Sequence, residues 1–307
     1  MATNRTRYLF VGCLFVCVLV VGCSGTKESG DADETPRLTV YTVNYPLKYF
    51  AERIGGEHVE VFLPAPAEGD PAHWRPDEAT IVKYRQAGLI LLNGKGYAAW
   101  VADAKLPSAT RVETTASFSK DLIKRAHSHS HGDDAHVHHT TDYHTWLDPN
   151  LAIAQAESIE KVFAQKLPDH ADQFAANLKE LKTELTDLDT AIQTLTDSYD
   201  CPPLLASHPV YDYLNRAYDL PVKSLHWEPS IMPSGDEWIE LQNYLDEHPV
   251  EWMIWEAEPD KEIADKLRRR GVSIAVFEPC MNTPGDEDYM KVMLRNIENL
   301  RSVFERE

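Results

Sequence analysis

From Arg37 to Val43 (RLTVYTV) apolar and polar side chains alternate with the two-residue period of a half-buried strand. Residues 46–54 change to helical spacing and stop at Gly55-Gly56, and residues 58–63 (HVEVFL) alternate again. Behind Pro76, residues 77–86 space their apolar side chains as a helix does. Residues 88–93 (GLILLN) then form an almost unbroken apolar run, as in a sheet covered on both faces. The order β-α-β-α-β predicts a parallel sheet. Residues 150–198 are helical by pattern, with Asp148 as N-cap and Pro149 in the first turn, and Pro168-Asp169 divides them in two. The second piece, 171–196, carries Phe174, Leu178, Leu181, Leu185, Leu188, Ile192 and Leu195 at steps of three or four. Such a helix is roughly 39 Å long, enough to join two domains or to lie along one. The alternation then restarts, with strands at 203–207, 252–256 and 272–277 and helices at 210–218, 236–247 and 286–305. The fold class is α/β: two parallel-sheet domains, 37–168 and 199–307, joined by a long rigid helix over 169–198.

The first 36 residues stand outside this scheme. Arg5 and Arg7 precede an uncharged apolar run, 9–22, which is shorter than the ~20 residues of a membrane-spanning helix. A basic start, a short apolar core and small residues at its end predict a secretion signal over 1–22. Its last residues, Val20-Val21-Gly22-Cys23, resemble the bacterial lipobox, which implies acylation of Cys23 and anchoring in a lipid bilayer. Residues 24–36 (SGTKESGDADETP) lack large apolar side chains and form a flexible tether. The protein is therefore expected in the cell envelope, lipid-anchored and extracytoplasmic. The formal charge of −19 argues against nucleic acid as a partner, since that needs clustered basic groups.

Candidate chemistry lies in the 13 histidines. Residues 125–142 hold His127, His129, His131, His136, His138 and His139 among acids and small residues, a low-complexity loop expected to bind zinc or copper loosely. His129-Ser130-His131-Gly132-Asp133 begins like the HxHxDH motif of metallo-β-lactamase-type hydrolases, but Asp134 stands in the last position, and the chain has no HExxH. His73 and His144 each lie just before a predicted helix. His208 and Glu278 each end a predicted strand, where open parallel sheets bind ligands. His58, His170 and His248 are assigned structural roles. His226-Trp227-Glu228 is read as core packing of Trp227, with support of a metal site as the alternative. Cys201 and Cys280 are expected unbridged: at opposite ends of adjacent parallel strands they would sit about 15–20 Å apart, beyond the ~7 Å a disulfide tolerates.

These segments, taken in order, resemble the zinc and manganese solute-binding proteins of bacterial ABC importers, the ZnuA-like and TroA-like proteins. The resemblance runs through YPLKYFAERIGGEHVEV, GDPAHWRP, GLILLNGKG, HTWLDPN, ASHPVYDYLNRAYDLP, WEPS, EAEP and VFEP and covers residues 38–305. It implies one metal held between two domains by His73, His144, His208 and Glu278, with an ABC permease as partner and the protein a monomer. It also implies that the histidine-rich insert is auxiliary. A histidine at position 208 resembles zinc members, where manganese members usually carry Glu. Three imidazoles and a carboxylate suit Zn²⁺ better than Mn²⁺. The chain departs from the family twice. Asp70-Pro71-Ala72-His73 is one residue longer than the usual Asp-Pro-His, which moves His73 by about 3 Å unless the loop adjusts, and Glu278 replaces an Asp.

Four protein ligands would fill a tetrahedron and leave no place for a nucleophilic water, so capture and delivery of Zn²⁺ are expected and catalysis is not. One alternative is a zinc hydrolase with an open metal position and Glu228 or Glu258 as base. Another is a lipid-anchored zinc buffer or adhesin that serves no transporter.

Overall fold

The computed structural model describes residues 37–305 apart from 95, 132, 133 and 200, and only the backbone of 125–141. The predicted signal, Cys23 and the tether lie outside these residues. The first half follows the expected order: β1 (Leu38–Thr42), α1 (Tyr45–Gly55), β2 (Val59–Phe62), α2 (Glu78–Gln86) and β3 (Leu89–Leu92). A further strand, β4 (Arg111–Glu113), has only three residues, too few to show a period. The sheet runs β2-β1-β3-β4 with every pair parallel. Asn44 starts α1 by accepting a hydrogen bond from the Leu47 amide, and Gly56 ends it with a φ of 52°, a left-handed turn that favours glycine.

The histidine-rich segment, expected as an irregular loop, is instead an antiparallel hairpin of β5 (Lys124–His131) and β6 (Asp134–Thr141). His127 stands opposite His138 in its register and His129 opposite His136. His-Ser-His-Ser-His is itself a two-residue repeat, which a strand satisfies.

Helices α3 (Pro149–Lys166) and α4 (Ala171–Asp197) break at Pro168 as the pattern predicts, and the Asp148 side chain caps α3 by accepting from the amides of Asn150 and Leu151. The second half adds β7 (Leu204–Ala206), α5 (Asp212–Tyr218), β8 (Val222–Ser224), α6 (Gly235–Glu247), β9 (Trp252–Trp255), α7 (Lys261–Arg268), β10 (Ser273–Val276) and α8 (Tyr289–Phe304). Its sheet runs β10-β9-β7-β8, again all parallel. Cys201 and Cys280 are both free thiols. Their strands are not neighbours as expected, because β9 lies between β7 and β10.

Both sheets share one order, with the second strand outermost, then first, third and fourth. Each therefore reverses direction of growth between its first and third strands, where α/β sheets bind ligands. Helix α4 packs against α1 and α3 on one side of the molecule and against α5 and α8 on the other. Its stripe, including the fully buried Leu181 and Leu185, joins a single apolar core with residues of both sheets. Leu185→Ala should lower the unfolding free energy by about 2–5 kcal/mol in urea titrations. A loss below about 0.5 kcal/mol would mean that the stripe is not packed as described.

Candidate metal centre

The second sheet builds the more complete side of the site. His208 lies two residues beyond β7. The Ser207 amide donates to the Ile254 carbonyl of β9 at 2.8 Å, and the Trp227 amide, from the chain leaving β8, donates to the Ser207 carbonyl at 2.7 Å. These bonds tie the chain after β8 and the end of β9 to either side of His208, and each brings a carboxylate. Nδ1 of His208 lies 3.5 Å from Oε1 of Glu228. One ligand atom from each of His208, Glu228 and Glu256 falls within 4.8 Å of the others. The buried Nδ1 has no hydrogen-bond partner among the described residues. The trio lines a cleft of about 700 Å³ that Asp70, His73, Glu278 and Cys280 also line.

His144 comes from the first half, at the start of the short turn that leads into α3. It is buried, and Oδ1 of Asp142 accepts both from its backbone amide, at 3.0 Å, and from Nδ1 at 2.8 Å. That pairing puts the proton on Nδ1 and leaves Nε2 as the ring's lone-pair donor, the arrangement in which a carboxylate orients a metal-binding imidazole. The His144 ring stands edge-on to Trp146 at 5.2 Å and lies within electrostatic range of both His208 and Glu256.

His73 and Glu278 reach the same cleft but are turned toward other partners. The 70–74 turn closes through hydrogen bonds from the amides of His73 and Trp74 to the Asp70 carbonyl, and Oδ1 of Asp70 accepts from the Ala72 amide at 2.8 Å. This turn directs the His73 side chain outward, 88% exposed, with Nε2 3.6 Å from Oδ2 of Asp70. Glu278 pairs with Arg295 of α8 at 2.6 Å, and its backbone is held by the buried Asn296. So the structure gathers His208, Glu228 and Glu256 closely, sets His144 within electrostatic reach, turns the His73 side chain to solvent and pairs Glu278 with Arg295. The side chains of the six hairpin histidines lie outside the described residues.

Glu256 was not singled out in the sequence, and Glu228 only as a possible base. Each lies just past a strand end, and only the strand order, with β7 between β8 and β9, shows that both meet His208. Trp227 packs as expected, 4.8 Å from Trp238 in a buried indole cluster, and His226 stands edge-on to His208 at 6.1 Å. His58 stacks on His170 at 3.7 Å, away from the cleft.

Burial sets the electrostatics. It pulls the His208 imidazole below its usual range, against the opposing pull of Glu228, so the ring stays neutral and able to ligate under more acidic conditions. It pushes Glu256 up to about 7, with the Glu228 charge adding to the shift. Glu278 is also raised by burial, with Arg295 opposing.

The family model for the periplasmic component A of a zinc-uptake complex, ZnuA, matches residues 40–303. The high-affinity zinc uptake system protein ZnuA of Bacillus subtilis (strain 168) is 27% identical over 305 residues, covering 95% of each chain. The zinc-binding lipoprotein AdcA of Streptococcus pneumoniae (strain ATCC BAA-255 / R6) is 24% identical over 306 residues, 95% of this chain and 60% of that one. The crystal structure of Zn(II)-bound AdcA from Streptococcus pneumoniae superposes with a TM-score of 0.77 at 22% identity, covering 89% of this chain and 59% of that one, which shows the shared fold.

Asp142→Asn should weaken zinc binding by about 10–100-fold, because the ring loses the carboxylate that fixes its tautomer. Competition with a zinc-chelating dye measures this, and unchanged affinity would mean that packing on Trp146 alone orients His144. Glu256 gives a second expectation. Its carboxyl is raised in the fold from an ordinary value of 4.5 to about 7, so across that window the native state holds a proton that the unfolded chain has released. The group therefore subtracts stability as pH rises through the window. Metal-free Glu256→Gln should be more stable than the parent above pH ~8 and equal to it below pH ~4, by urea unfolding in chelator. A variant less stable than the parent above the window would contradict the desolvation of this carboxylate.

Proposed function

Because the chain belongs to the ZnuA family of periplasmic zinc-uptake components, we propose that it captures extracytoplasmic Zn²⁺ in the cleft between its two sheets and delivers it to an ABC importer permease. The observation that supports this reading is that His208, from the second half, lines the cleft while His144, from the first half, lies within electrostatic range of it with Nδ1 already committed to Asp142. Two neutral imidazoles fit the donor preference of zinc. Of the four residues that the resemblance nominates, His144 and His208 form the imidazole pair. His73 and Glu278 line the same cleft and join the ion only by leaving Asp70 and Arg295.

A site closed by protein donors has no free position for an attacking water, which favours transport over hydrolysis. Anchoring through acylated Cys23 would hold the protein at the membrane beside the permease, as a monomer. The hairpin over 124–141 would collect zinc loosely nearby. The names of the relatives support zinc as cargo, since ZnuA of Bacillus subtilis and AdcA of Streptococcus pneumoniae are described as zinc-uptake and zinc-binding proteins.

The test is metal analysis with titration of the purified protein, of His208→Ala and of a deletion of residues 125–140. His208→Ala should lose tight binding, by about 100-fold or more, while the deletion should keep it and bind fewer ions in total. Affinity in the parent should fall in acid as the imidazoles protonate. A His208→Ala variant that binds zinc as tightly as the parent would remove the cleft as the site.

A further inference from the structure

Glu278 is held to α8 twice, by neighbouring residues of that helix. Asn296, fully buried, holds its backbone: the Glu278 amide donates to Oδ1 of Asn296 at 2.9 Å, and Nδ2 of Asn296 donates to the Glu278 carbonyl at 2.8 Å. Arg295 holds its side chain, with Nη2 donating to Oε2 of Glu278 at 2.6 Å. The other arm of the same guanidinium, Nη1, donates to Oε2 of Glu287, in the loop that runs from Glu278 back to α8. Arg295 is thus a fork between two carboxylates, a geometry that a planar guanidinium suits. Glu278 lines the cleft, and no lysine or arginine does so among the described residues.

Resting on the reading of this cleft as the zinc site with Glu278 among its ligands, we propose that Arg295 sets the affinity of the site by competing with the ion for the Glu278 carboxylate. The ion gains this carboxylate only as the guanidinium gives it up, so Arg295 weakens binding and speeds release. The structure suits such an exchange. Because Asn296 fixes the Glu278 backbone, the change is confined to the side chain. A glutamate has one more rotatable bond than the usual Asp, so its carboxylate can turn from α8 toward the cleft while the end of β10 stays in place. Stripping a buried charge of its partner is strongly unfavourable. Arg295 avoids this, since it keeps Glu287 when Glu278 leaves and its side chain is 41% exposed. Glu287 therefore acts with the opposite sign: it draws the guanidinium away from Glu278 and favours binding.

The experiment measures zinc affinity by competition with a chelating dye, and release by stopped-flow mixing of the loaded protein with excess chelator. Each metal-free variant is checked for folding by urea unfolding. A partly exposed ion pair shifts an equilibrium by a few-fold at most, so Arg295→Gln should bind zinc about 2–5-fold more tightly than the parent and release it more slowly. Arg295→Lys keeps the charge and should bind less tightly than Arg295→Gln. Glu287→Gln leaves the guanidinium to Glu278 alone and should bind about 2–5-fold more weakly than the parent. Glu278→Gln should itself bind about tenfold more weakly or worse. In that background Arg295→Gln should change affinity by less than about twofold, because the exchange it opposes is gone. Parent-like or weaker binding in Arg295→Gln, parent-like or tighter binding in Glu287→Gln, or an undiminished gain from Arg295→Gln in the Glu278→Gln background overturns the proposal. Should Arg295→Gln fail to fold, Glu287→Gln still decides the sign. Parent-like affinity in Glu278→Gln overturns the proposal alone, whereas parent-like affinity in His208→Ala overturns the reading of the cleft on which it rests.

Discussion

Trp146 is completely buried, and its indole N–H donates to the carbonyl of Pro279 at 2.7 Å, from one half of the chain to the other. The bond is returned at once: the hydroxyl of Tyr289, also fully buried, donates to the Trp146 carbonyl at 2.7 Å, and the Tyr45 amide donates to the Met281 carbonyl at 2.9 Å. Each such bond is worth only about 0.5–1.5 kcal/mol net, but a buried donor or acceptor left without its partner costs more than that. The stitch lies beside the cleft. His144 is two residues before Trp146, and Glu278 is one residue before Pro279. The distance across the cleft is therefore set locally, with α4 supporting from behind, and a rearrangement of side chains is less costly there than a swing of one half against the other.

The same burial that makes the stitch strong makes the cleft electrostatically unusual. Asp70, Glu228, Glu256 and Glu278 line one cleft with His208, and the charges of Glu228 and Asp70 are felt at the desolvated Glu256. Burial answers this crowding by raising Glu256 to about 7 and lowering His208 below the ordinary imidazole range. A cation entering the cleft would meet a neutral imidazole and a carboxyl ready to give up its proton, so binding and proton release are linked.

Much of the architecture was legible because long elements carry their periods openly. The apolar run before Asn93, the seven-residue stripe of α4, the break at Pro168 and the cap at Asp148 all appear where the pattern puts them. The strands β4 and β8 were missed, since three residues show no period, and the short helix α7 was passed over although Ile263, Ala264 and Leu267 mark one buried face. The site was legible to the level of segments and not of side chains. Of the four nominated residues His73, His208 and Glu278 line the cleft, yet the direction of His73 depends on a turn closed by the Asp70 carbonyl, and Glu278 is paired with Arg295, 17 residues further on. Glu256 was invisible for a different reason. Its importance comes from strand order, which is a property of the sheet and not of any local run of residues.

Cys280 lines the cleft two residues past Glu278, buried and with a left-handed φ of 58°. Burial pushes its thiol far above the ordinary range, helped by the charge of Glu278. Only the thiolate attacks oxidants, exchanges with disulfides or binds soft metals. A thiol held protonated in this way is a poorer nucleophile and a poorer soft-metal ligand than an ordinary cysteine, so the cleft can carry a sulfur without its chemistry competing with that of the imidazoles.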